Sequence, residues 1–327
     1  MKILVTGGAG YIGSFMTKAL LNRGDDVTVF DNLERGRRDS IDEKANFIKG
    51  DIKNSTDLDL LLANSSFDAA IHFAGLIAVG ESEENPDLYY QNNVVGSKLF
   101  FEACIKHNIK KLIFSSSAAV YGNPTVIPIP ENHPKNPTSE YGKNKLEVEG
   151  VLSQLKSINQ DISFAILRYF NAAGAALDGS IGENHMPETH IIPNIIRAIL
   201  EGEKFDLFGI DYNTKDGTCI RDYVHVLDLI EAHVLVLDKL RNENGEFIYN
   251  VGTGNGYSNR DVIEMVKKIS DRKLIVEELE RRPGDADTLI ADPAKIKSEL
   301  GFSPKYSDLE TIVKTAWEWH TKNENSN

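Results

Sequence analysis

Ser117, Tyr141 and Lys145 are the side chains best suited to chemistry in this 327-residue chain. In Ser-Glu-Tyr-Gly-Lys-Asn-Lys the tyrosine and the second lysine, Lys145, stand four residues apart, so on a helix they share one face about a turn from each other. A tyrosine hydroxyl titrates near ~10 in water and is a poor base at neutral pH. A neighbouring ammonium and the positive ring of an oxidised nicotinamide both favour its phenolate. The pair then becomes an acid/base catalyst for a carbinol. A Tyr-x-x-x-Lys spacing also occurs on solvated helix faces, so its meaning here depends on what lies upstream.

Upstream is a glycine loop, Gly7-Gly8-Ala9-Gly10-Tyr11-Ile12-Gly13, between a short apolar run, Ile3-Leu4-Val5, and a helical pattern from Tyr11 to Asn22. This order predicts strand, tight turn, helix. Gly7 suits the tight turn, Gly10 the close approach of a pyrophosphate, and Gly13 the packing of helix on strand, with the helix N-terminus facing the anion. A second strand, Val27 to Phe30, ends in Asp31, followed by Asn32. An acidic residue about 20 residues after the glycines can accept hydrogen bonds from the adenosine ribose and repels a 2′-phosphate, which favours NAD over NADP. Arg35, Arg37 and Arg38 could clamp such a phosphate, but Asp31 at the strand end favours reading them as a solvated basic loop.

These residues need a frame to hold them. Ile3–Val5, Val27–Phe30, Asn46–Ile48, Ala69–Phe73, Lys111–Ser115 and Ser163–Arg168 read as strands alternating with helices. The alternation predicts an α/β fold, a doubly wound parallel sheet with helices on both faces. Ligands of such sheets bind beyond the strand C-termini, where Asp51-Ile52, Phe73-Ala74-Gly75, Ser115 to Ser117 and Tyr169-Phe170-Asn171 also fall. Beyond about residue 172 the pattern turns to loops broken by helices at Ile191–Glu201, Asp228–Leu240, Asn259–Ile269 and Leu309–His320. The expected division is a dinucleotide-binding domain at 1–171 and a smaller C-terminal α/β substrate lobe at 172–327, with segments free to cross. In that lobe Arg221 and the Arg281-Arg282 pair suit bidentate contacts to a diphosphate. Ion pairs of Arg221 with Asp222 and of Arg282 with Asp285 are an equal reading. The polar 322–327 tail is expected to fray.

Composition narrows the partners. The 36 basic against 49 acidic residues leave a formal charge of −13, which argues against a nucleic-acid or anionic-membrane surface. The two cysteines, Cys104 and Cys219, form no C-x-x-C pair and carry no zinc or disulfide signature. His72 and His225 read as core histidines rather than metal ligands. No metal is expected. The chain starts directly in a strand and has no apolar run long enough for a bilayer, so a soluble, cytoplasmic protein is expected.

Ten dispersed motifs carry a resemblance over essentially the whole chain. They are the glycine motif at 7–13, Asp-Asn-Leu at 31–33, His-Phe-Ala-Gly-Leu at 72–76, Val-Gly-Glu-Ser at 79–82 and Asn-Asn-Val at 92–94. Further on come Ser-Ser-Ser-Ala-Ala-Val-Tyr-Gly at 115–122, Tyr-Gly-Lys-Asn-Lys at 141–145, Arg-Tyr-Phe-Asn at 168–171, Asp-Gly-Thr-Cys-Ile-Arg-Asp-Tyr-Val-His at 216–225 and Arg-Arg-Pro-Gly-Asp at 281–285. In these the chain resembles the UDP-glucose 4-epimerases of the extended short-chain dehydrogenase/reductase family. The resemblance implies a Rossmann domain with NAD as cofactor, a UDP-sugar substrate and a homodimer.

Carried over by position, it implies that the backbone of Tyr11 and Ile12 meets the pyrophosphate and Asp31 the adenosine ribose, with Gly7, Gly10, Gly13 and Asn32 also among the cofactor-binding residues. Asp51 and Ile52 would lie by the adenine, with Phe73, Ala74, Gly75, Asn92, Ser115 and Phe170 along the rest of the cofactor. Ser117, Tyr141 and Lys145 would be catalytic, the last two also touching the cofactor. Asn171, Arg221, Arg282 and Asp285 would hold the UDP group, and the reaction would pass through a 4-keto sugar. The chain departs from the family at Ile77, where a lysine is common, at Glu34-Arg35-Gly36, and at His190, where others turn an asparagine to the substrate. The residue that gates the sugar pocket aligns with Leu289, which leaves open N-acetylhexosamine and pentose forms. Two rival readings are a nucleotide-sugar 4,6-dehydratase, which Ala118-Ala119 leaves without its extra acid/base groups, and a silent NAD-binding regulator.

Overall fold

The computed structural model describes residues 1–63, 66–185, 187–282 and 284–324, without the side chains of Asn323 and Glu324. Pro283 of the second-lobe arginine motif and the last three residues of the tail lie outside these. Two compact units divide the chain: residues 1–122, 135–168 and 230–249 form one, and 123–134, 169–229 and 250–327 the other. The first unit is thus assembled from three chain segments.

In the first unit the strands β1 (Lys2–Thr6), β2 (Asp26–Asp31), β3 (Asn46–Lys49), β4 (Ala69–His72), β5 (Lys111–Ser117) and β6 (Ser163–Tyr169) form a parallel sheet. Their order is β3-β2-β1-β4-β5-β6, continued by a seventh strand, Glu246–Val251. Ile3, Leu4 and Val5 are fully buried, as are Ala69, Ala70 and Ile71. Strands apolar on both faces are what a sheet covered by helices on each side demands. Helix α1 (Tyr11–Asn22) follows β1, and α2 (Ser55–Ala63) buries Leu58, Leu61 and Leu62. Then come α3 (Val79–Glu84), α4 (Pro86–Tyr89), a π-helical turn at Tyr90–Val95 and α5 (Gly96–Lys106).

Helix α6 (Glu140–Ile158) carries the Tyr-x-x-x-Lys motif. Ser139 starts it, its hydroxyl accepting the Gly142 amide at 3.1 Å, a cap that satisfies one of the orphan donors of the first turn. Val148 and Leu152 bury themselves against the sheet. One turn past Lys145, Glu149 accepts both arms of the Arg168 guanidinium at 2.6 and 2.9 Å and the Ser116 hydroxyl at 2.7 Å. Arg168 is 1% exposed on β6 and also donates to the Tyr121 hydroxyl. The buried charges satisfy each other, and that pair fixes α6 against β5 and β6.

The second unit has its own core, in which Ile192, Ile195 and Ile196 meet Val262, Val266, Ile312 and Val313. These come from α7 (Ile191–Glu201), α9 (Asn259–Ser270) and α11 (Leu309–Glu324), beside the shorter α10 (Ala294–Leu300); α8 (Val226–Asn242) starts in this unit and continues from Ile230 in the first. Short strands carry the polar motifs. Asn171–Ala173 (β7) pairs in parallel with Tyr223–His225, and Ile220–Arg221 lies between Tyr257–Ser258 and Thr288–Leu289. Lys204–Phe208 pairs with Ile275–Leu279.

Removing one member of the buried pair should leave the other charge without compensation. Glu149→Gln is expected to lower the free energy of unfolding by roughly 3–5 kcal/mol. The double variant Glu149→Gln/Arg168→Met should recover much of that loss, and urea unfolding of the three proteins measures both.

Candidate functional site

Most of the expected cofactor residues lie at or just beyond the C-terminal ends of β1 to β5. Gly7 has φ +72°, and a Cβ there would stand 2.5 Å from the Ala74 amide nitrogen, so the turn requires glycine both for its conformation and for the approach of the β4 end. Gly10 begins α1, and Tyr11, Ile12 and Gly13 form its first turn. No side chain caps this helix end and no acidic residue lies in its first turn. Its amide dipoles therefore point at whatever binds over the loop, as a diphosphate requires.

Asp31 closes β2. Its carboxylate, 9% exposed, accepts the Ala9 amide at 3.0 Å and the Leu33 amide at 2.8 Å. Burial raises its pKa, and those two amides oppose the rise. Asn32 donates to Asp51 at 3.2 Å, which joins the ends of β2 and β3 beside the buried Ile52. The basic loop is engaged elsewhere: Arg35 pairs with Glu81, Arg37 with Asp39, and Arg38 lies over the Phe47 ring. Phe73, Ala74 and Gly75 follow β4, the Phe73 ring 5.0 Å from that of His233. Asn92 sits in the π-helical turn and donates to Asn93, whose amide group holds the Leu76 backbone through both its N–H and its C=O. Such turns often mark sites where a helix has been reshaped for a ligand.

His72 is fully buried at the end of β4 between the Thr6 and Ser97 hydroxyls, at 2.6 and 2.8 Å. Ser97 gives its proton to the Asn93 carbonyl, so it accepts from His72 Nε2–H, and Nδ1 accepts from Thr6. Burial foremost, and then Lys145, holds this histidine down at about 3, so it is a neutral brace.

The three catalytic candidates lie within this unit. Lys145 is buried on α6, its Nζ donating to the Ser115 carbonyl at 2.8 Å and lying 5.7 Å from the centre of the Tyr141 ring. Burial lowers its pKa to about 8, with the Glu149 carboxylate opposing. Ser117 ends β5, its Oγ accepting the Ala119 amide at 3.2 Å. Ala119 in turn packs against Tyr141, whose ring meets Leu76 and Tyr89. A Cβ on Gly142 would reach 2.6 Å from the Ala119 carbonyl, so glycine lets the first turn of α6 come down onto the loop after Ser117. Ser117 and Tyr141 thereby flank one short segment, Ala118-Ala119.

In the second unit Arg221 does not turn to Asp222. Asp222, fully buried, accepts the amides of Thr253, Gly254 and Ala291. Arg221 donates to the Ala286 carbonyl at 2.8 Å and lies 3.6 Å from Asp285, while Arg282 approaches the other oxygen of Asp285 at 3.4 Å. Arg221, Arg282 and Asp285 are thus one cluster. Leu289 is the register partner of Arg221 on the neighbouring strand, and Asn171 on β7 is the partner of Tyr223. Phe170 is buried and its amide donates to the Val251 carbonyl.

The model of the NAD dependent epimerase/dehydratase family matches residues 3–252. The chain belongs to that family. A UDP-glucose 4-epimerase of Lactobacillus helveticus is 45% identical over 98% of this chain and 97% of its own. The crystal structure of a UDP-glucose 4-epimerase from Bifidobacterium longum in complex with NAD+ and UDP is 36% identical, covers both chains fully and superposes with a TM-score of 0.95. The UDP-Glc/GlcNAc 4-epimerase of Campylobacter jejuni is 39% identical over 98% of this chain and 99% of its own, with a TM-score of 0.85. NAD is the cofactor of the family, and the glycine turn, the uncapped helix end and Asp31 fit it. Among the described residues no helix is long and apolar enough to cross a membrane.

Sequence reasoning singled out His190 but missed its company. His190 Nδ1 lies 2.5 Å from Glu183, and burial, which opposes its charge, is outweighed by that carboxylate, raising His190 to about 9. Any contact of this side chain with a substrate is left to Nε2. Glu183, His185 and Glu188 complete the group. The repeat Glu-x-His-x-x-Glu-x-His was the signal that could have found them.

Proposed function

We propose that the chain interconverts UDP-glucose and UDP-galactose by reversible oxidation at C4 of the sugar, with no net redox change. The observation that carries this reading is the placement of Tyr141 and Lys145 on one buried face of α6, beside the loop that Ser117 opens. Bound NAD would supply a hydride acceptor and donor at the nicotinamide, held by Asp31, Asn32, Asp51, Ile52, Asn92, Phe170 and the loop from Gly7 to Gly13.

Tyr141 as phenolate takes the proton of the 4-hydroxyl, and Ser117 hydrogen-bonds the same oxygen. The Lys145 ammonium favours the phenolate, and its buried position makes the effect strong because little water screens it. The proton returns from Tyr141 to the 4-keto oxygen in the reverse half-reaction, on whichever face the hexose then presents. Turning the hexose over requires that the sugar be held from a distance, by UDP. Arg221 and Arg282 suit that role: Asp285 already brings two guanidinium groups together around one anion, and a diphosphate offers the same charge in bidentate form. Asn171 and His190 Nε2 complete the proposed contacts, and Leu289 stands beside the sugar.

We place the enzyme in the cytoplasm as a homodimer. A groove of about 590 Å³ along α5 and α6, lined by Tyr90, Val95, Leu99 and Val151, offers a face for a second copy. Val151→Glu should turn the dimer into monomer in light scattering after size-exclusion chromatography; an unchanged mass would place the contact elsewhere. Tyr141→Phe should lower kcat at least ~10²-fold while UDP binding, read by calorimetry, persists. Near-native turnover would move the base to another residue. UDP-galactose should be preferred over UDP-N-acetylgalactosamine by roughly 10–200-fold in kcat/KM, the worth of a methylene-sized misfit. Leu289→Ala should narrow that ratio and Leu289→Tyr widen it; a ratio that responds to neither substitution would remove Leu289 from the pocket.

A further inference from the structure

Ahead of α7, four side chains from one eight-residue stretch converge. Glu183, His185, Glu188 and His190 each offer one donor atom, and all four atoms lie within 4.8 Å of one another. Glu183 Oε1 is 3.1 Å from His185 Nε2 and 2.5 Å from His190 Nδ1, and Glu188 Oε1 is 3.8 and 3.7 Å from the same two nitrogens. A tetrahedral shell with bonds of about 2.0–2.1 Å separates its donors by about 3.3 Å, so these spacings bracket such a shell closely. The Glu183 and Glu188 side chains are only 4% and 8% exposed. Two carboxylates drawn together out of water need positive charge between them. A divalent cation with two neutral imidazoles would balance them fully.

The supporting shell is also present. His185 Nδ1 faces the Pro187 carbonyl at 3.1 Å; a carbonyl only accepts, so this nitrogen carries the proton and Nε2 turns its lone pair to the cluster. Bracing a ligating imidazole through its other nitrogen is the usual device of metal sites. Glu188 is held by the Thr189 and His190 amides at 2.7 and 2.8 Å. Both ends of the stretch are anchored. Gly182 lies against the Trp319 ring of α11, and His190 is the residue that opens α7.

We propose that Glu183, His185, Glu188 and His190 form a structural site for a divalent first-row cation, zinc foremost, that staples this loop between α11 and α7. Two imidazoles and two carboxylates suit zinc better than calcium or magnesium, which favour all-oxygen shells. The site supplies no step of the epimerase chemistry; it shares His190 alone with the proposed substrate contacts, through the other ring nitrogen, and the test variants leave His190 in place.

The test uses the full chain stripped with EDTA and titrated with ZnCl₂ by calorimetry. One equivalent should bind, the melting temperature should rise, and Co²⁺ in place of Zn²⁺ should give the intense visible bands of a tetrahedral ion. His185→Ala and Glu188→Gln should each weaken zinc at least ~100-fold, since even supporting residues of metal sites are worth 10–100-fold. His107→Ala, a histidine paired with Asp59 elsewhere, should leave binding unchanged. Absence of saturable zinc binding or of the tetrahedral cobalt bands in the native chain would overturn the proposal. So would equal affinity in the native chain and both ligand variants.

Discussion

One stripe on α6 holds the active centre together. Tyr141, Lys145 and Glu149 recur every four residues, so they lie in a row along the face that meets the sheet. Glu149 is tied to Arg168 and Ser116, Lys145 to the Ser115 carbonyl, and Tyr141 packs on Leu76 and Tyr89. The strongest bond is at the far end of the row from the chemistry. Because a helix is stiff over two turns, fixing Glu149 also fixes the azimuth and depth of Lys145 and Tyr141. A buried ammonium whose nearest strong electrostatic partner is one turn away, and itself committed to an arginine, keeps its charge available to the tyrosine.

The same logic explains the glycine loop. Its backbone must pass close to the β4 end at Ala74 and must leave the amides of α1 uncapped, and both demands exclude side chains. Asp31 then draws in two backbone amides of its own, from Ala9 and Leu33. That arrangement orders the loop before any ligand arrives, which reduces the entropy lost on binding.

In the second unit, two buried aspartates organise loops rather than pair with bases. Asp222 gathers the amides of Thr253, Gly254 and Ala291, and Asp228 those of Lys305 and Tyr306 together with the Ser307 hydroxyl. Each satisfies backbone donors that irregular chain would otherwise bury without partners. Freed from Asp222, Arg221 is available to the cluster with Arg282 and Asp285.

Much of this was legible in the residues alone. Helix α1 has the predicted bounds, Tyr11–Asn22, and the six expected strands lie where apolar runs placed them, because periods of 2 and 3.6 and the turn chemistry of glycine are local properties. The Tyr-x-x-x-Lys face was legible for the same reason, since four residues on a helix is a fixed distance. What depended on tertiary structure was choice of partner. The seventh strand, Glu246–Val251, joins the sheet next to β6 from about 80 residues downstream, and no local pattern announces that neighbour. Adjacent Arg221 and Asp222 allowed an ion pair as one of two readings, yet Arg221 ends one short strand and Asp222 lies between it and the next, and the fold gave each a different set of contacts. Glu183, His185, Glu188 and His190 are close in sequence, but in irregular chain spacing sets no direction for side chains. Those four donors come within 4.8 Å of one another in the stretch that runs from Gly182, set against the Trp319 ring, to the start of α7.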